Sequence, residues 1–253
     1  LQIALMSLGL KLGDEVITTN FTFAATVEVI SLLGLTPILV DVDPKTFNIN
    51  IPSIEKAIGP KTKAIIPVHL FGQVADMAEI LALAEENNLY VIEDNAQSIG
   101  ANYTFSDGSK KKTGTLGHIG TTSFFPSKNL GAYGDGGAIF TNDNELAHTI
   151  RGIVNHGMYI RYQHDVVGVN SRLDSVQAAV LNVKLKYLDI YNEFRKAAAL
   201  KYNQRLADNP KLVTPFRKGD CDTHVYHQYT LKVIDGDRDG LVNHLNDKGI
   251  PCG

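Results

Sequence analysis

Apolar residues in this chain change period in a regular alternation. "EVITT", "PILVDVD", "KAIIPV" and "LYVIED" are short strand patterns, while "AATVEVISLLG", "IPSIEKAI" and "DMAEILALAEENN" between them repeat every 3.6 residues as helices do. That rhythm constrains the fold to an α/β architecture: a mostly parallel sheet with helices on both faces. Right-handed crossovers gather the carboxyl ends of such strands on one edge, and ligands bind there. The opening "LQIALMSLGL" reads as a helix ending near Gly9. Asp76 and Glu79 have the spacing of a capping box, as do Asn142 and Glu145 at the start of "NDNELAHTIRGIVNHG".

After Gly100 the rhythm changes. Lys110–Lys112 reads as a solvated hairpin tip beside the "SDG" turn signal. "IGTTSFF" and "GGAIFTN" are strands flanking a loop, and residues 173–207 form two helices or one kinked helix. "VYHQYTLKVI" alternates as a strand before the helix "RDGLVNHLNDKG". This β-α tail predicts a smaller α+β domain over 189–253, following a large domain over 1–188. The chain begins at Leu1 in mid-pattern and stops after "KGIPCG", so both ends read as cuts in a longer protein.

Composition removes several classes of function. A net charge of −3 among 253 residues gives no electrostatic case for nucleic acid or an anionic membrane. Residues 29–40 form the longest apolar stretch, too short and too interrupted to span a bilayer. Cys221 and Cys252 make no zinc spacing or disulfide framework, which fits a reducing cytoplasm. The eight histidines include no i, i+4 helical pair, so no metal is expected. There is no GxSxG elbow for a hydrolase and no GxGxxG after the first strand for a dinucleotide.

Chemistry concentrates at two places. In "VIEDNAQSIGA", Glu93 and Asp94 end a buried strand, and neighbours in a strand face opposite ways. One acid should therefore face the ligand edge, and there it needs a cation. In "TSFFPSKNLGAYGDGGAIF", Lys128 is a lone amine before four glycines, which allow close backbone approach in a turn presenting the lysine. Burial makes a lysine nucleophilic toward an aldehyde. Pyridoxal phosphate needs that amine, a carboxylate for its ring nitrogen, phosphate donors and an apolar face. Ser123 can supply a phosphate hydroxyl, Gln97 a donor to the ring oxygen, and Phe23 the flat face.

These segments, together with "NHG", "VVGVNSRLDSVQAAVL", "IPVHLFGQVADM" and "GDEVITTNFTFAATVEVISLLGLTPILVDVDPKTFNI", resemble the nucleotide-sugar aminotransferases of the DegT/StrS group. The likeness runs through nearly all of the chain. It implies the pyridoxal-phosphate-dependent aspartate-aminotransferase fold, with Lys128 as the Schiff-base lysine and Asp94 as partner of the pyridine nitrogen. It implies Gln97 at the ring hydroxyl, Ser123 at the phosphate and Phe23 stacked on the ring. Asn170 would reach the phosphate of a neighbouring subunit, hence a homodimer. The family's Gly-Thr phosphate motif would fall before Leu1. The implied reaction moves an amino group from L-glutamate to a UDP- or dTDP-linked keto sugar, at carbon 3 by its finer likeness. In "GMYIRYQHDVV", Arg161 and His164 are candidates to meet a diphosphate or a sugar acid, the alternative being a plain surface loop. The dehydratase branch of the family carries histidine where this chain has Lys128; a regulatory protein keeping the pocket without turnover is the other alternative.

Overall fold

A computed structural model of the chain describes residues 1–219 and 223–252. Helix α1 (Gln2–Ser7) leads into β1 (Glu15–Thr19), α2 (Ala25–Leu32), β2 (Thr36–Val40), α3 (Ile51–Ala57), β3 (Thr62–Ile66), α4 (Met77–Glu86) and β4 (Tyr90–Asp94). A small antiparallel hairpin follows, β5 (Asn102–Thr104) with β6 (Lys110–Lys112), then β7 (Ile119–Ser123), β8 (Gly137–Phe140) and α5 (Asn144–Ile153). The main sheet has the order β2-β1-β3-β4-β7-β8, parallel throughout except for β8, which runs antiparallel to β7. The lysine run is thus a hairpin strand, not a tip: Asn102, Tyr103 and Thr104 pair with Lys112, Lys111 and Lys110.

Side-chain alternation builds three layers. Ile17, Ile65 and Val91 point to one face of the sheet and pack with Ile54 of α3 and Met77, Ile80 and Ala84 of α4. Val16, Ile66, Ile92 and Ile119 point to the other and pack with Ala4 and Leu5 of α1, Ile30 of α2 and Ile150 of α5. Each such fully buried aliphatic side chain contributes about 1.5–3 kcal/mol of transfer free energy. Strands this apolar on both faces are what a doubly covered parallel sheet requires.

The remaining elements are a hairpin of β9 (Met158–Ile160) and β10 (Gln163–His164), α6 (Ser175–Leu185), α7 (Leu188–Leu206), the pair β11 (Leu212–Val213) and β12 (Lys232–Val233), and α8 (Arg238–Asp247). The long helical pattern is therefore two helices, broken at Lys186 and Tyr187.

Three local expectations are corrected. Asp76 makes no cap bond to α4; its carboxylate pairs with Lys218 instead. Helix α5 is capped by Asp143, not Asn142, because Asp143 Oδ1 accepts from the backbone N–H of Glu145 (2.8 Å) and Leu146 (3.0 Å). The alternating segment "VYHQYTLKVI" is a strand only at Lys232–Val233. Its first half lies against the turn at 70–74, where Val225 N–H donates to Gly72 O (2.9 Å) and Val74 N–H to Thr223 O (3.0 Å). That turn satisfies its backbone, so no ladder is needed.

Close approach explains Gly72 at this junction. Its φ is +102°, and a Cβ there would lie 2.8 Å from His227 N and 3.0 Å from Tyr226 N. Gly72→Ala is expected to lower stability by about 1–3 kcal/mol, through forbidden backbone geometry and displacement of the docked segment. Denaturant unfolding of the full-length protein checks this; an unchanged midpoint contradicts it.

Candidate active site

The site forms where β4 and β7 end. Asp94 closes β4, is 5% exposed, and is paired in register with Thr121 of β7. Its Oδ2 accepts from Thr26 Oγ1 at 2.8 Å and its Oδ1 from the Ala96 N–H at 3.1 Å. Both donors are neutral, and among the described residues no cation forms an ion pair with it. A carboxylate so placed is oriented and desolvated yet has no ion-paired cation, its charge acting on Lys128 without a salt bridge, which suits a cationic N–H of a ligand.

Glu93 takes the opposite face, as alternation requires. It is fully buried and accepts from His69 Nε2 (2.9 Å) and from the backbone N–H groups of Gly114 (2.8 Å), Leu116 (2.6 Å) and Gly117 (2.8 Å). Burial alone would raise its pKa; the bonds and charge from His69 and the bonds from Gly117 and Gly114 outweigh that and hold it below the usual carboxylate range. Of the two acids the sequence offers, Glu93 ties β4 to the approach to β7, and Asp94 is left for the ligand edge.

Lys128 follows β7 on a tight loop. Its backbone N–H donates to Phe125 O (2.9 Å), and Ala132 N–H returns to Phe124 O (2.7 Å). Gly131 permits this: a Cβ there would sit 2.3 Å from Pro126 O. The loop glycine thus serves close approach, as the sequence indicates. The amine is half-buried, and burial lowers its pKa against the opposing pull of the Asp94 charge. It is thereby a better nucleophile than a surface lysine.

Two further candidates join this pair. Gln97 Oε1 accepts from Phe71 N–H at 2.5 Å, which fixes the carboxamide and leaves its Nε2 without a protein acceptor among the described residues. Ser123, at the end of β7, accepts from Phe125 N–H at 3.2 Å, so its O–H remains free to donate. Phe23 and Asn170 are not gathered in. Phe23 is 74% exposed in the loop before α2, while Phe21, Phe47 and Phe71 form the nearby ring cluster. Asn170 is exposed, bridged through its backbone to Asn155, and lines an open groove with Thr121, Gly137 and Arg172. Arg161 lies over the Tyr162 ring (4.9 Å) on the exposed β9–β10 hairpin, and His164 Nδ1 contacts His156 O (2.9 Å).

The sequence reading missed Thr26, Asn129 and His227. Thr26 was detectable in "NFTFAAT", which follows the carboxyl end of β1 on the ligand edge. Asn129 and His227 carried no signal of their own. His227 lies close enough to Lys128 to sense its charge: burial first, then the Lys128 and Arg195 charges, lower its pKa to about 4. His224, stacked on Tyr226 at 3.9 Å, is lowered to about 3, chiefly by burial.

These two histidines predict an acid limb of stability. Both are neutral when folded, whereas in the unfolded chain they take up protons near the ordinary histidine value of 6.5. From there down to about 4 the unfolded state binds more protons, so stability falls as pH falls. His224→Asn keeps an acceptor for the Tyr226 N–H (3.1 Å) but cannot titrate. Melting temperature measured from pH 7 to 5 is expected to fall less steeply in that variant; an identical slope contradicts the assignment.

Among the described residues no helix is long and apolar enough to cross a membrane, and no three His, Cys, Asp or Glu side chains gather as a metal cluster. Cys252 is exposed and free, and Cys221 lies outside the described residues.

A mostly parallel sheet covered on both faces, with a buried carboxylate and a half-buried lysine at adjoining strand ends, is the fold of the pyridoxal-phosphate-dependent aminotransferases. Comparison with known proteins bears this out. The chain belongs to the DegT/DnrJ/EryC1/StrS aminotransferase family, which it matches over residues 1–253. It is 50% identical over 252 residues to a protein of Geobacillus stearothermophilus named "Pleiotropic regulatory protein", covering 99% of this chain and 66% of the relative. It is 47% identical over 251 residues to the UDP-2-acetamido-2-deoxy-3-oxo-D-glucuronate aminotransferase of Pseudomonas aeruginosa, covering 99% and 67%. The crystal structure of DesV from S. venezuelae, in complex with a ketimine intermediate, superposes with a TM-score of 0.91 at 40% identity, covering 98% and 65%. The chain thus spans about two thirds of the length of the relatives it matches.

Proposed function

We propose that the protein is a pyridoxal-phosphate-dependent aminotransferase that moves an amino group from L-glutamate to a UDP- or dTDP-linked keto sugar. The observation that carries this is the pairing of Lys128, an amine depleted of proton affinity by burial, with Asp94, a buried carboxylate whose charge acts on that amine and whose hydrogen-bond donors are both neutral. The residues fit the cofactor. Lys128 Nζ would hold its aldehyde, Asp94 its ring N–H, Gln97 Nε2 its ring oxygen and Ser123 its phosphate. Bound, the cofactor supplies an aldehyde for amine exchange and a ring that withdraws electrons from the carbon losing its proton.

The chain's own groups do the rest. Asp94, fixed by Thr26 and Ala96, holds a proton on the ring nitrogen. Lys128 Nζ, once free, would take the proton from the donor's α-carbon and deliver it to the cofactor carbon that bore the aldehyde. A donor half and an acceptor half give ping-pong kinetics. The large unit ends near residue 188 and the smaller begins at 189. A homodimer, with Asn170 reaching the phosphate of the neighbouring subunit and Phe23 stacking on the cofactor ring, agrees with the exposed apolar side chains Val183, Ile190 and Phe194 of α6 and α7. A setting in the cytoplasm accords with the reading of the cysteines.

Amination at carbon 3 is supported by the 47% relative, named for a 3-oxo sugar acid. Full-length protein given glutamate and a panel of UDP- and dTDP-keto sugars tests this. Conversion of 3-keto sugars supports it, and conversion of 4-keto sugars alone moves the position. A second reading, a regulator without turnover, is favoured by the name of the 50% relative. Glutamate added to loaded protein separates the two. Loss of the aldehyde form's absorbance marks an enzyme; an unchanged spectrum marks the regulator.

A further inference from the structure

The loop carrying Lys128 is exposed at Phe125, Pro126 and Ser127. Among the described residues, only Asn129 within 124–130 has a side chain hydrogen-bonded to another element. Its buried carboxamide is fully used. Nδ2 donates to Asn192 Oδ1 of α7 (2.8 Å) and to Val225 O (3.2 Å), and Oδ1 meets His227 Nδ1 at 3.2 Å. With both Nδ2 hydrogens committed, Oδ1 accepts and His227 carries its proton on Nδ1.

The partners of Asn129 are themselves fixed. Asn192 Nδ2 donates to Ile99 O (3.1 Å), in the loop that follows Asp94 and Gln97. Arg195, on the same helix, donates to the carbonyls of Tyr226 and His227, both at 3.2 Å. On its other side, the segment of His227 is bonded to the 70–74 turn, whose Phe71 N–H holds Gln97. The amine's loop and the Gln97 loop therefore share one support, and that support lies about a hundred residues away in sequence (|i−j| = 98 for Asn129 and His227).

We propose that His227 is a positioning residue for Lys128: through Asn129 it fixes the loop that aims the amine, so the segment 223–228 sets where the amine stands. This rests on the reading of Lys128 as the amine that holds the cofactor. A charged ring beside Lys128 would repel it; the depressed pKa of His227 keeps the ring neutral.

The test compares two ligands on the full-length protein. Pyridoxal phosphate uses the Lys128 amine, whereas pyridoxamine phosphate uses every other contact and cannot link to it. His227→Leu is expected to weaken pyridoxal phosphate by roughly tenfold, the worth of one buried hydrogen bond, and to leave pyridoxamine phosphate within about twofold. His227→Asn places an N–H where Nδ1 stood and should restore most of the loss. Equal weakening of both ligands, no weakening of either, or an Asn variant as poor as the Leu variant overturns the proposal. Should His227→Leu fail to fold, His227→Gln takes its place, since its amide extends one bond too far to meet Asn129. Wild-type protein is assayed first. If it does not take up pyridoxal phosphate at Lys128, the functional reading fails; if it does and the variants match it, only the positioning claim fails.

Discussion

Lys128→Ala is expected to abolish amino transfer in the full-length protein, by about 10³-fold or more. On the proposed reading two duties meet at Nζ. It would hold the cofactor's aldehyde at a fixed place, and it would carry the proton between the donor's α-carbon and the cofactor. Neither neighbour supplies an amine for the aldehyde: Asp94 is a carboxylate committed to Thr26 and Ala96, and His227 is held by its Nδ1 proton to Asn129. The fold should survive, because among the described residues the Nζ makes no hydrogen bond, and the loop is held by backbone bonds and Asn129. Single-turnover assays with glutamate check the rate, and thermal unfolding checks the fold. Appreciable transamination by a folded variant refutes the assignment.

Asp94→Asn is the second large effect. Asn keeps an acceptor for the Ala96 N–H, and its Nδ2 can donate to the Thr26 hydroxyl, which accepts as well as donates, so packing and cofactor retention should persist. What is lost is the negative charge that, on the proposed reading, would keep the ring nitrogen protonated. Removing one preorganised electrostatic contact of this kind costs on the order of 10²–10³ in rate. The expected outcome is therefore normal loading, near-normal melting temperature and a rate reduced by about that factor. A near-normal rate counts against Asp94 as the partner of the ring nitrogen.

Much of this was legible in the chain itself, for reasons of periodicity. The alternation of Val16 with Ile17, Ile65 with Ile66 and Val91 with Ile92 declares a sheet covered on both faces, and the structure divides those residues between two core layers. Strand ends then locate Glu93 and Asp94, and the loop after β7 locates Lys128. Which acid serves the ligand was named, as Asp94, by the family likeness alone; the physical choice was not legible in the period. It depends on His69 and on the backbone amides of 114–117, brought in by the chain path. Thr26 meets Asp94 across 68 residues, and Asn129 meets His227 across 98. Threonine, asparagine and a lone histidine are too common to announce such contacts.

The local misreadings share one physical cause. Asn142 and Asp143 can both cap a helix, and the register chosen decides between neighbours. Asp76 had a cap to make but found Lys218 instead. "VYHQYTLKVI" alternates like a strand throughout, yet only Lys232–Val233 pairs with a neighbouring strand, while a turn and a helix bind the backbone of its first half. Period identifies which face is buried; it does not identify the partner.

The most direct measurement is chemical. Full-length protein loaded with pyridoxal phosphate is treated with borohydride, which makes the bond between cofactor and side chain permanent, and is then digested and mapped by mass. The pyridoxyl group is expected on the peptide containing Lys128 and nowhere else. A tag on another lysine, or none from a fully loaded preparation, contradicts the site described above.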